Sequence, residues 1–124
     1  MSSICQYPTY DVCVTRNNPF TLQFFREVEG VLFSFTGKKV VLTVRDRIDG
    51  KEIIILSSDA GDITFSEKDS VADALVVVFV NSEKVRAWNN GHYVYDLVYF
   101  TDSEDVKTLL GGAFSISKGV SDVR

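Results

Sequence analysis

Residues 88–100, Trp88-Asn89-Asn90-Gly91-His92-Tyr93-Val94-Tyr95-Asp96-Leu97-Val98-Tyr99-Phe100, constrain this chain more than any other stretch. Asn90-Gly91 is turn chemistry, because glycine takes positive φ without steric cost and asparagine tolerates it better than most residues. A strand is expected to follow. Strict alternation then sorts the side chains into two rows, Tyr93, Tyr95, Leu97 and Tyr99 on one face and Val94, Asp96, Val98 and Phe100 on the other. Both rows are largely apolar, so one face belongs to a core and the other needs a cover of its own.

A chain of 124 residues that is 45% hydrophobic and 12% aromatic is expected to fold as one domain with a real core. The net charge of −4 opposes broad contact with phosphate backbones, so no nucleic-acid partner is expected. Met1-Ser2-Ser3-Ile4 lacks the basic start and apolar core of a signal peptide, and no apolar run reaches the length of a membrane span. The cytoplasm is therefore the expected compartment, with no membrane partner. Cys5 and Cys13 would lie about 26 Å apart in an extended segment, and only a reversal at Tyr7-Pro8-Thr9 would bring them together. Two reduced thiols are expected, and no third cysteine or second histidine exists to build a zinc site with them.

Taken in order, residues 1–9 read as an N-terminal arm, 10–118 as a β-sandwich and 119–124 as a short C-terminal tail. Strands are expected at 10–15, 20–25, 38–46 and 52–56, with Val40, Leu42 and Val44 inward. Asn17-Asn18-Pro19 and Ile48-Asp49-Gly50-Lys51 supply reversals between them. A connection surrounds 31–34, where a short edge strand is the reading offered, a short apolar piece covers 63–65, and the charged run Ser66-Glu67-Lys68-Asp69-Ser70 reads as a turn. Residues 72–80 form a nearly continuous apolar run, which suits a strand covered on both sides. Asn81 to Trp88 reads as one or two helical turns, with Trp88 closing an end of the core. Val106 to Ser117 returns as the last strand, and Gly111-Gly112 in its middle points to a bulge or a close backbone approach. About seven to eight short strands, one helical turn and no βαβ pattern imply an all-β antiparallel sandwich. Tyr93 or Tyr95 is placed to serve as the tyrosine corner of immunoglobulin-like domains.

No residue announces a reaction. His92 is the only histidine, and Asp96 lies about 13 Å along the same strand, too far to orient it for catalysis. Asp59, Asp62, Glu67 and Asp69 supply oxygen atoms but match no calcium-loop spacing. Lys39, Arg45, Arg47 and Lys51 are interrupted by Asp46, Asp49 and Glu52, the pattern of an ordinary charged face. Apolar surplus is the more informative signal. Val94, Val98 and Phe100, together with Val76 and Val78 from the 72–80 run, exceed what one core uses and are the candidate assembly contact. Ile4, Tyr7 and Tyr10 are the candidate arm contact, through strand pairing to a neighbour. No cofactor is expected.

Several segments carry a resemblance in their order: Val14-Thr15-Arg16-Asn17-Asn18-Pro19-Phe20-Thr21-Leu22, Phe35-Thr36-Gly37 with Val40-Val41-Leu42-Thr43-Val44-Arg45-Asp46, Gly91-His92-Tyr93-Val94-Tyr95-Asp96-Leu97, and Val106-Lys107-Thr108-Leu109-Leu110-Gly111-Gly112. Across residues 12–118 the pattern resembles small bacteriophage and prophage virion proteins, similar to the amino-terminal domain of siphophage baseplate upper proteins and to related tail or neck proteins. The chain departs from that pattern in its cysteine-containing arm and at Asn17-Asn18-Pro19, where the family often has a glycine-aspartate turn. The resemblance implies an immunoglobulin-like sandwich and a non-enzymatic adaptor in a virion, assembled in the host cytoplasm. Its partners would be tail, neck, baseplate or fibre subunits in a symmetric multi-copy assembly. The alternative is a free-standing sandwich that binds carbohydrate or a host protein, for which Trp88, Tyr7 and Tyr10 are the only platform aromatics.

Overall fold

The computed structural model describes residues 9–47, 50–100 and 105–117. Ile4 and Tyr7, Cys5 and the 119–124 tail lie outside them. Among the described residues, ten strands and one short helix follow in order. They are β1 (Val12–Thr15), β2 (Phe20–Phe24), β3 (Glu27–Val28), β4 (Val31–Leu32), β5 (Lys39–Arg45), β6 (Glu52–Ser57), β7 (Ile63–Lys68), β8 (Val71–Val80), α1 (Ser82–Val85), β9 (Gly91–Phe100) and β10 (Val106–Ser117). A five-stranded sheet runs β1-β10-β9-β5-β6, a three-stranded sheet runs β2-β8-β7, and β3 and β4 form a separate hairpin. Both larger sheets contribute to one buried cluster, so the fold is all-β and sandwich-like, as the spacing of the turns predicts.

The aromatic strand β9 sits at the centre of the larger sheet. It pairs antiparallel with β5, Leu42 opposite Leu97, and with β10, Phe114 opposite Tyr93. Tyr95, Leu97 and Tyr99 are buried as expected, and Val40, Leu42 and Val44 beside them are fully buried. The core is aromatic at both ends. Phe35, carried on the connection after β4, lies 5.7 Å from Tyr99 and 6.1 Å from Phe65, ring centre to ring centre. At the other end Trp88 packs edge-on against Phe20 at 6.2 Å and Phe114 at 6.1 Å, which is the closing role its position predicts. Asn81 caps α1 through its side-chain oxygen, which accepts from the Lys84 amide, and the helix buries Val85.

Two local expectations change. The first strand begins at Val12, because residues 9–11 follow a different hydrogen-bond pattern described below. Ser66 to Lys68 is strand and not turn: Ser66 pairs with Leu75 and Lys68 with Val71, and an edge strand tolerates charged side chains. The reversal is confined to Asp69 and Ser70, both at positive φ as a two-residue type I′ turn requires. Glu29-Gly30 does the same for the β3–β4 hairpin. The 31–34 connection is held to the start of β8, where the Phe35 amide donates to the Asp73 carbonyl at 2.9 Å and the Ser34 hydroxyl to the Ala72 carbonyl at 2.8 Å.

Candidate interaction surfaces

Because β5 and β9 alternate, burying Val40, Leu42, Val44, Tyr95, Leu97 and Tyr99 turns their neighbours outward. Val94, Val98 and Phe100 are indeed on the outer side of the five-stranded sheet, partly exposed. Register then gathers more apolar side chains around them. Val41 lies opposite Val98, Val106 opposite Phe100, and Ile55 opposite Thr43. Ile55 is 56% exposed, Val106 53% and Ile53 43%. The outer face therefore carries apolar side chains on β6, β5, β9 and β10, with Thr43 and Asp96 in the row beside Ile55.

Val76 and Val78 do not belong to it. They are 0% and 1% exposed, in the core row of β8 with Ala74 and Val80, and the outer row is Leu75, Val77 and Phe79. The physical reason is pairing: β2 sets Phe20 against Val80 and Leu22 against Val78, and the buried phenylalanine and leucine fix which row faces in. Phe79, 51% exposed, makes a second, smaller apolar patch on the outside of the three-stranded sheet.

Charges on the larger face are arranged by strand. Arg45 on β5 lies 3.1 Å from Glu52 on β6 and 3.9 Å from Asp96 on β9. Lys39, also on β5, pairs with Asp59 at 3.2 Å and stands 5.5 Å over the Phe100 ring. Arg47 pairs with Asp46 at 3.6 Å. Lys39, Arg45 and Arg47 are thus locally balanced, the arrangement of a charged face. Burial pushes the Asp96 carboxyl above the ordinary carboxylate range, with Arg45 pulling it back and Glu52 adding to the rise.

The other singled-out residues resolve individually. His92 Nδ1 lies 3.2 Å from the Ser115 hydroxyl, its direct cross-strand neighbour. Asp62 pairs with Lys84 at 3.3 Å, and Asp59 with Lys39, so the middle acidic residues are drawn apart by separate lysines. Among the described residues no three histidine, cysteine or acidic side chains gather as a metal site. Trp88, partly exposed, packs against Phe20 and Phe114, and Cys13 is an exposed free thiol.

Tyr10 is the described part of the candidate arm contact, and its backbone is used within its own chain. Thr9 bridges Gly111 in parallel, and the Tyr10 amide donates to the Gly111 carbonyl at 2.8 Å. The Tyr95 hydroxyl donates to the Tyr10 carbonyl at 2.6 Å, and the Ala113 amide to the Asp11 carboxylate at 3.0 Å. A side chain at Gly112 would place its Cβ 2.6 Å from the Tyr10 carbonyl oxygen, so the close backbone approach expected there is real. The Tyr10 ring is 56% exposed. Burial, then the Asp11 charge, pushes the Tyr95 hydroxyl pKa well up, which keeps it a donor far into the alkaline range. The Tyr93 hydroxyl lies 3.0 and 3.2 Å from the Asn89 and Asn90 carbonyls, to which it donates. Between β1 and β2, whose outer edges carry no partner strand among the described residues, lies an open groove of about 240 Å³.

No protein-family model matches the chain, and a search of curated proteins gives no match. The functional reading rests on the surfaces themselves.

Proposed function

We propose that the protein is a non-enzymatic structural adaptor of a bacteriophage particle, an immunoglobulin-like sandwich that joins tail, neck, baseplate or fibre subunits in the virion. The observation that carries this reading is the apolar surface that the described residues leave exposed or partly exposed on the outward sides of both sheets, around Ile55, Val94, Val98 and Val106 on one and Phe79 on the other. Proteins that stay alone in water rarely keep such patches, whereas a subunit that links two neighbours needs one on each side. Strand order supports the immunoglobulin-like part. The succession β6-β5-β9-β10 reads as strands C′, C, F and G of that architecture, and β2-β8-β7 as B, E and D, with Tyr93 bonded just upstream near the start of the F-like strand.

Co-expression with the products of the flanking reading frames, followed by size measurement of the purified complexes, tests the proposal. Capture of a tail, neck, baseplate or fibre protein, lost on Phe79→Lys or Val98→Glu with the fold intact, is the expected result. A chain that binds no virion subunit but retains glycans on an array overturns it.

A further inference from the structure

We propose that the groove between β1 and β2 takes residues 2–8 of a second copy of this chain, added to the free edge of β2 as an antiparallel strand. The contact is separate from the outer face of the larger sheet and uses neither Ile55 nor Val98. Three observations carry it.

The first is which edges are left open. The two larger sheets end in four outer strands, β1 and β6 on one and β2 and β7 on the other. Native sheets blunt such edges with charges and bulges, because an unpaired row of N–H and C=O groups attracts another strand. β6 carries Glu52 with a register shift beside it, and β7 carries Glu67 and Lys68 with a shift between Ser66 and Lys68. β1 and β2 have neither a charged residue nor a shift. These two undefended edges are the walls of the open groove of about 240 Å³.

The second is the phase of the backbone. The Phe79 amide donates to the Asp62 carbonyl at 3.0 Å, so Val77 and Phe79 turn their hydrogen-bonding groups to β7, and Val76, Val78 and Val80, which alternate with them, turn theirs to β2. Phe24, Leu22 and Phe20 are their partners on β2. Thr21 and Gln23 therefore direct both N–H and C=O to the free side, where no described residue meets them. On β1 the Tyr10 and Arg16 amides donate to the Gly111 and Ser117 carbonyls, which leaves Asp11, Cys13 and Thr15 facing outward, and the Thr15 carbonyl already accepts from the Asn18 amide. β2 is thus the more open edge. Two residues of an antiparallel guest, two positions apart, pair all four groups of Thr21 and Gln23.

The third is the segment itself. Ser2-Ser3-Ile4-Cys5-Gln6-Tyr7-Pro8 carries no charge and has an N–H at every residue but the last, which suits an uncharged edge. With Ser3 opposite Gln23 and Cys5 opposite Thr21, Ile4 falls in the row of Leu22, towards the core, and Pro8 lies beyond the ladder. Its own groove is the harder one to enter. Thr9 and Tyr10 are tied to Gly111 on the larger sheet, so entry requires an immediate reversal and a change of sheet, and a proline opposes the reversal by holding the residue before it to extended backbone. Seven extended residues span at most about 25 Å, enough to reach a neighbour.

Sedimentation velocity on the full chain and two variants tests this. The wild type associates as its concentration rises. A variant in which Thr9 follows Met1 directly keeps the groove and has no segment to give. Gln23→Pro keeps the segment and removes an N–H from the side of β2 that faces away from β8. Each variant alone stays monomeric with its β-sheet circular dichroism intact, and an equal mixture of the two associates, because one supplies the groove and the other the segment. A second measurement needs no altered edge. In the isotope-labelled variant without residues 2–8, a synthetic peptide of residues 1–8 shifts the Thr21 and Gln23 amide resonances saturably, and the same peptide with Ile4→Asp does not. A wild type that stays monomeric at roughly millimolar concentration overturns the proposal. So does association that survives loss of residues 2–8, a mixture of the two folded variants that stays apart, or a peptide that leaves Thr21 and Gln23 unmoved. Val98→Glu leaves the exchange unchanged, so this contact and the adaptor reading are tested separately.

Discussion

Removing one oxygen, in Tyr95→Phe, tests whether the segment before β1 is held by β9. In the native chain the Tyr95 hydroxyl donates to the Tyr10 carbonyl at 2.6 Å, from a strand far away in sequence. Tyr95 itself is 5% exposed, and its ring sits 5.8 Å from Phe114, so phenylalanine keeps the packing and loses only the donor. A neutral hydrogen bond contributes about 1 kcal/mol net, and the expected loss is of that size. For a domain of this length the melting temperature then falls by about 3–6 °C. Amide hydrogen exchange should locate the effect: Tyr10 loses protection while β5 and β9 keep theirs. Gly112→Ala perturbs the same place from the other side, because its Cβ would lie 2.6 Å from the Tyr10 carbonyl oxygen at a φ of +154°. Since both changes displace one segment, the double variant costs less than the sum of the two. An unchanged melting temperature with unchanged exchange at Tyr10, or full additivity, refutes the reasoning.

Two further predictions use the same measurements. Val76→Asp places a charge in a fully buried row and costs at least about 3 kcal/mol, whereas Val77→Asp, one residue along the strand on the outer side, costs about 1 kcal/mol; equal losses in urea unfolding would contradict the assigned parity of β8. Asp96→Asn concerns pH. Burial raises the folded-state pKa of Asp96 above its unfolded value, so the native state holds the proton longer, and the stability this group contributes is full below the unfolded pKa and lost as pH rises through the folded one. The asparagine variant is therefore slightly more stable than the parent at pH 7, and the gap closes towards pH 4; a parent more stable at pH 7 would show that Arg45 outweighs the burial.

How far the fold can be read in advance depends on whether a segment announces its own phase. Tyr93 to Phe100 does, because Asp96 breaks one of two otherwise apolar rows, and the inward set Tyr95, Leu97 and Tyr99 is found where alternation puts it. Residues 74–80 do not, since valine on both faces suits either parity, and only pairing with Phe20 and Leu22 decides between them. Ser66-Glu67-Lys68 fails for the opposite reason: charge suggests a turn, yet an edge strand pays no penalty for charged side chains that reach water. The patch on the larger sheet was half legible. Val94, Val98 and Phe100 follow from one strand, while Val41, Ile53, Ile55 and Val106 join them only through register between strands distant in sequence. Tertiary pairing likewise decides that Tyr10 binds Gly111 and Tyr95, which no local pattern encodes.

The parallel pairing of β1 with β10 sets how the protein answers tension. Pulling on the segment before β1 and the segment after β10 draws two side-by-side strands in opposite directions along their length. Val12 to Thr15 and Phe114 to Ser117 then slide past one another as a unit, so their cross-links must rupture together and not one after another. A subunit clamped in this way transmits mechanical load through its two extremities without opening, a property of direct use to any link in a chain of proteins that is stretched.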